Sequence, residues 1–206
     1  MAKSGEPTIP ERAYQEIKRR LLDGTFKLRQ RLDASAISHD LGISVTPVRE
    51  ALVRLAAERF VIGRPAKGFY AMLWTEAQLR ELYLWRGLLA QLALEQRGRQ
   101  APMPMSQAAY PDLIAALLAA LHDASVNPEI VRAADNAEDR LRRARAAETS
   151  LWEDVREEAE ALAEILADAK VDKAVKAVLA YHSRRAAHAR DIRNLAALHD
   201  LPANGG

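Results

Sequence analysis

A chain of 206 residues with 49% apolar content can bury one large core or two modest ones. It has no cysteine, which excludes disulfides and thiolate metal sites, and no apolar run near the ~20 residues that cross a bilayer. The net charge of +2 is uneven: residues 1–75 hold 13 Lys/Arg against 8 Asp/Glu and residues 76–206 hold 17 against 20, which suits nucleic-acid contact at one end and equally an ordinary solvated surface.

The opening MAKSGEPTIPERAYQEIKRR lacks the apolar core of a secretory signal, so a cytoplasmic protein is expected. Within it a first helix is predicted from about Pro10 to Leu22, with Ala13, Ile17, Leu21 and Leu22 on one face and Gly24 as its stop. After a short turn, Asp33 is placed to cap a second helix through Leu41, and Gly42 gives the backbone freedom of a tight turn. A third helix starts near Ser44 or Thr46 and ends near Arg59, with Val48, Ala51 or Leu52, and Leu55 as its inward stripe. FVIGRPAKGFYAML then has the pattern of a hairpin: two apolar runs around Gly63, Pro65 and Gly68, with Arg64 and Lys67 at the tip. Three helices and a basic hairpin describe a winged helix-turn-helix, here residues 1–74.

From Thr75 the pattern is wholly helical, and residues 75–206 are predicted to form a second, all-helical domain. Thr75 and Gln78 fit a capping box opening a helix to about Gln96, with Leu79, Leu82, Arg86, Leu89 and Ala93 along one side. Further helices are expected over about Ala108–Ala124, Pro128–Ala147, Leu151–Ala169 and Val171–Ala197, with the tail HDLPANGG disordered. The fold class is therefore mainly α, a winged helix-turn-helix followed by a helical bundle.

The start of the third helix points to chemistry. A helix amino end presents unsatisfied N–H groups and positive dipole charge, which suit a phosphate oxygen. Ser44 and Thr46 are short donors there, and Pro47 costs little in a first turn, where its missing N–H has no helical partner. Arg49 and, beyond it, Arg54 lie on the outer side, where arginines reach phosphates and base edges in a major groove. The plainer reading is that the hydroxyls cap the helix and the arginines are solvated.

AISHDLGISVTPVREALVRLAAERFV and RPAKGFYAM resemble the GntR family of bacterial transcription regulators over about 60 residues, TPVREAL being the specific part. The resemblance implies that Ser44, Thr46 and Arg49 contact double-stranded DNA, that Lys67 and Gly68 approach the minor groove or backbone, and that a homodimer binds a palindromic operator, acting as a repressor. Arg54 and Arg64 are further phosphate candidates on charge and position. Three departures stand out. Val45 occupies a place often held by arginine and can touch a thymine methyl; Arg59 replaces a usual glycine; LRQRLD replaces the usual turn of proline and glycine.

EAQLRELYLWRGLLAQLAL, ASVNPEI and DRLRRAR resemble the FCD domain of the FadR-like subgroup, an effector-binding and dimerisation bundle, although the region Arg97–Tyr110 is short by about one helix. Many FCD domains hold a divalent metal with an Asp and three His. Here the matching places fall on Ile114, Leu118 and the His-free segment Glu158–Ala161, leaving His182 alone, so no metal cofactor is expected. His122 lies one turn too far, and Asp135 with Asp139 fit only in a shifted register. Arg86 and His182 interrupt apolar stripes, and a buried guanidinium needs a partner. Either an internal acid supplies it or a small carboxylate effector does, bound by Arg86, His182 and Arg140 or Arg143. A bundle that only dimerises remains the alternative; an enzyme built on His182 or His188 lacks a nucleophile–base pair.

Overall fold

A computed structural model describes residues 7–96, 108–123, 127–168 and 170–200. The chain divides into two compact units, Met1–Leu73 and Trp74–Gly206.

The described residues of the first unit form three helices: α1 (Ile9–Leu22), α2 (Ala34–Leu41) and α3 (Val45–Ala57). Asp33 caps α2 as its sequence position requires, accepting from the N–H groups of Ser35 and Ala36 at 2.8 and 3.0 Å. Gly42 closes α2 with φ 64°, a left-handed angle that costs glycine nothing. Ala13, Ile17, Val48, Leu52 and Leu55 meet in one apolar core, capped by Phe26, Phe60 and Val61.

The wing has a third strand besides the expected hairpin. β1 (Arg31–Leu32) joins β2 (Val61–Arg64) and β3 (Gly68–Ala71) in the order β1-β3-β2, all antiparallel. A two-residue strand has no periodicity of its own; pairing with β3 creates it. Arg59 adopts φ 65°, the left-handed conformation usually given to glycine. The departure seen in the sequence is thus a local strain rather than a change of fold.

The described residues of the second unit form helices and no strand: α4 (Glu76–Glu95), α5 (Tyr110–Asp123), α6 (Pro128–Glu148), α7 (Val155–Asp168), α8 (Val171–Ala187) and α9 (Ala189–Leu198). The capping box forms, Thr75 accepting from Gln78 N–H at 3.2 Å and Gln78 Oε1 from Thr75 N–H at 2.9 Å. Asn127 caps α6 with its side chain alone, accepting from Glu129 N–H at 2.9 Å. α4 packs against α8, α6, α9 and α5, and α5 lies on α6 and α7.

Three expectations need correction. The helix predicted over Val171–Ala197 breaks at His188, whose N–H turns back to Arg185 O at 3.1 Å while its Nδ1 meets Arg184 O at 2.9 Å. The ring replaces the lost backbone partner of Arg184, and the bend lets Ala189, Ile192 and Ala196 bury their own face. α7 begins four residues late, since the carbonyls of Ala147 and Glu148 take the N–H groups of Ser150, Leu151 and Trp152. His199 and Asp200, expected in a disordered tail, are held: His199 N–H donates to Leu195 O at 3.0 Å, and Asp200 pairs with Arg143. The expectations for residues 97–107, the rest of the tail and the side chain of His122 lie outside the described residues. No helix is long and apolar enough to cross a membrane, among the described residues.

Candidate nucleic-acid interface and buried polar cluster

Val48, Ala51, Leu52 and Leu55 hold α3 against the core, which turns Thr46, Arg49, Glu50, Val53 and Ala57 outward. Ser44 is the N-cap by backbone, yet its side chain makes no capping hydrogen bond. Among the described residues neither hydroxyl nor the Arg49 guanidinium has a partner within the protein. All three are exposed at the positive end of the helix, and Val45 beside them is half-buried.

Arg54 behaves differently. Its Nη1 pairs with Glu11 at 2.8 Å and its Nε with Glu58 at 3.2 Å, while its guanidinium carbon lies 3.5 Å from the Tyr14 ring centre. Tyr14 in turn donates to Glu58 at 2.7 Å. The side chain expected at a phosphate is therefore already engaged between α1 and α3. Conversely, Val53, 59% exposed on the row of Thr46 and Arg49, was not singled out from the sequence. A rotation of about 100° per residue places it there, and an apolar side chain at that place suits a thymine methyl. Arg64 and Lys67 are exposed on the wing, and Gly68 takes φ 88°, which excludes an unstrained side chain.

In the second unit the polar residues sit inside. Arg86, Arg145, Arg185, Glu148 and His182 are each at most 1% exposed. Arg145 is fully engaged: Nε and Nη2 bind the two oxygens of Glu138, and Nη1 donates to Tyr181 Oη at 3.0 Å. Arg185 donates to Glu148 at 2.8 Å, Tyr181 O at 2.9 Å, Tyr110 Oη at 2.9 Å and Glu158 at 2.8 Å. The hydroxyls of Tyr83 and Tyr110 both donate to Glu148.

Arg86 has an internal acid, as one of the two alternatives required, but only through one nitrogen: Nε donates to Glu138 at 3.0 Å. Its Nη1 and Nη2, and Nε2 of His182, are buried without a hydrogen-bond partner, among the described residues. His182 Nδ1 lies 2.8 Å from Val178 O, so that nitrogen carries the proton and Nε2 is an acceptor. Burial, then the charges of Arg86 and Arg145, hold the imidazole well below its ordinary range, and the ring is neutral. The charges of Arg145 and Arg86 overcome desolvation to hold the Glu138 carboxyl at about 2. Gly87, next to Arg86, lets α8 approach: an added Cβ would lie 3.1 Å from His182 Cβ.

Of the expected effector residues, Arg86 and His182 share the buried cluster, the charge of Arg86 acting on the His182 ring. Arg140 and Arg143 lie about 200° and 140° around α6 from Glu138, and Arg143 pairs with Asp200. Ile114 and Leu118, at two of the metal-ligand places, are fully buried in the apolar cluster of α5, α7 and α8.

A helix with free donors at its amino end, carried on a three-helix core beside a basic wing, defines a winged helix-turn-helix of the kind that reads DNA. Residues 10–71, nearly all of this unit, match the family described as bacterial regulatory proteins, gntR family. The uncharacterised HTH-type transcriptional regulator YdhC of Bacillus subtilis (strain 168) is 30% identical over 82 residues, 40% of this chain and 37% of its own length. This chain thus matches little more than a third of that relative. A Rhodococcus sp. RHA1 protein described as a GntR transcriptional regulator shares the fold with TM-score 0.70 at 19% identity, over 88% of this chain and 97% of its own. E. coli McbR/YncC gives 0.63 at 19% identity, over 89% and 98%.

Proposed function

We propose that the protein is a sequence-specific transcriptional regulator, acting as a repressor, that binds a palindromic DNA operator as a homodimer. The observation that carries this reading is the unengaged row Ser44, Thr46 and Arg49 at the amino end of α3. Lys67, Gly68 and Arg64 approach the adjoining minor groove or backbone, Val45 meets a base edge, and Arg54 acts mainly by bracing α3 against α1. Dimerisation is supported by an apolar face of α4, where Leu84, Trp85, Leu88 and Leu92 are 39–48% exposed.

The second unit is read as an FCD-type effector domain of the FadR-like subgroup without its metal. The buried, unpartnered Nη1 and Nη2 of Arg86 supply two donors, and His182 Nε2 an acceptor. A small carboxylate carrying a hydroxyl or amine satisfies all three, and its binding shifts DNA affinity by favouring one arrangement of the helices. The saturated partners of Arg145 and Arg185 favour the alternative, a bundle that only dimerises.

Selection of bound duplexes from a random library at near-physiological salt tests the DNA reading. Enrichment of a short palindrome is the expected result; a folded protein that enriches no sequence contradicts it. A thermal-shift series with small carboxylates separates sensor from clamp. A rise in melting temperature that disappears in Arg86→Met supports the sensor, and a flat response to every acid supports the clamp.

A further inference from the structure

Past Arg49 the outer row of α3 changes character. Leu52 and Leu55 are fully buried, which fixes the roll of the helix and keeps Val53 from turning inward. At about 100° per residue, Val53 and Ala57 fall within about 20° of the line through Thr46, with Arg49 about 60° to one side and Glu50 about 40° to the other. Val53 is 59% exposed, and Ala57 follows it in the open. Together with Thr46, Arg49, Glu50 and Arg54 they line a shallow, mostly apolar groove. A β-branched side chain in a helix is stiff at χ1, so the Val53 methyls keep one direction and lose little freedom when something covers them.

The charges around Val53 argue against a phosphate contact. Arg54, its neighbour in sequence, is turned to Glu11 and Glu58. Glu50, one turn before, is exposed and brings a carboxylate. A carboxylate repels phosphate, whereas it accepts from a cytosine amine in the major groove. This stretch of α3 therefore suits base edges, among which the thymine C5-methyl is the apolar one.

We propose that Val53 is a specificity-determining residue, seated against the C5-methyl of one thymine in each half-site of the operator. The inference rests on the DNA-reading function proposed above and adds a second base to the one read by Arg49. With α3 in the major groove, Val53 stands four residues and about 6 Å further along the helix axis than Arg49. That distance is about two base-pair steps, and the thymine is expected about two base pairs from the pair that Arg49 reads. A partner protein that covers the exposed valine is the competing occupant, and the test distinguishes it.

The experiment is fluorescence anisotropy of the full chain on its selected duplex, on a scrambled duplex, and on a set in which each thymine of one half-site is replaced in turn by deoxyuridine. The replacement keeps the base pair and removes only the methyl. Wild type is compared with Val53→Ala and Val53→Ile, each verified as folded by circular dichroism. In wild type, replacement of the thymine facing Val53 is expected to lower affinity about fourfold, the worth of one buried carbon. Val53→Ala binds the thymine and uracil forms of that duplex equally, and Val53→Ile keeps the difference. If wild type prefers its selected duplex but no replacement lowers its affinity, or every loss persists in Val53→Ala, the Val53 assignment alone is overturned and the valine is left to a partner protein. A wild type with no preference between the selected and scrambled duplexes overturns the DNA reading on which it rests.

Discussion

The two units place their charges on opposite sides of the surface. Among the described residues of the winged unit the buried ones are apolar or aromatic except Ser38, and arginines such as Arg31, Arg49 and Arg64 stand outside. In the helical unit Arg86, Arg145, Arg185, Glu148 and His182 are inside. An exposed charge keeps its hydration and remains available to a partner, whereas a buried one loses hydration and must be matched within the fold. Arg145 and Arg185 are matched completely and fasten α6 and α8 to Tyr110, Tyr181 and the acids around them. Arg86 is matched in part. The difference separates a unit built to meet a partner at its surface from one whose open donors can be reached only within its core.

The contrast is most easily broken at Glu138, which faces both Arg86 and Arg145. Glu138→Ala strands two buried guanidiniums and is expected to destabilise the helical unit by about 3–5 kcal/mol, measured by urea unfolding. Arg54→Ala in the winged unit, half-exposed, should cost only about 0.2–1 kcal/mol by the same measurement. Comparable losses for the two would remove the distinction between inner and outer charges.

Arg86→Met should cost at most about 1.5 kcal/mol, because losing one charged hydrogen bond is offset by removing two unmatched donors, and Arg145 keeps Glu138 paired. A loss as large as that of Glu138→Ala would show that Arg86 is fully matched in solution.

Acid should act on the helical unit in two stages. The folded His182 pKa lies below the usual 6.5, so on acidification the unfolded chain takes up its proton first. Its contribution is fully present above pH 6.5 and declines as pH falls below it. Glu138 follows: from a usual 4.5 to about 2 in the fold, its contribution is complete above pH 4.5 and is lost as pH falls toward 2. Melting temperature against pH checks this, and a His182→Gln variant should lack the decline between pH 7 and pH 5.

The smallest expected effect lies at Arg59. Glycine relieves the strain at φ 65° but makes the unfolded chain freer, so Arg59→Gly should raise stability by less than about 1 kcal/mol in chemical denaturation. A destabilised variant would mean that the Arg59 side chain is held by contacts worth more than the strain.

The elements that the sequence announces carry local signals: Asp33 and Thr75 with Gln78 are caps, and each opens the helix expected of it. The features that escape reading are those made by distant partners. β1 exists because β3 lies alongside it, and the break at His188 exists because a ring nitrogen can replace a backbone N–H. In the candidate site, the row through Thr46 and Arg49 follows from helical spacing, and Val53 was available to the same rule. The Arg54 pair with Glu11 spans 43 residues and the Arg86 pair with Glu138 spans 52, and neither separation carries a signal in sequence. Arg143, an effector candidate only through the resemblance to the FCD domain, pairs with Asp200, a contact across 57 residues that its sequence position does not signal.

In the proposed function the outer row of α3 reads DNA bases. The most direct measurement is the ratio of affinities for the selected duplex and a scrambled one, by anisotropy at fixed salt, for wild type and Arg49→Ala. Arg49→Ala is expected to lose about 1–3 kcal/mol of discrimination while its circular dichroism and melting temperature stay at wild-type values. An unchanged ratio in the folded variant would contradict it.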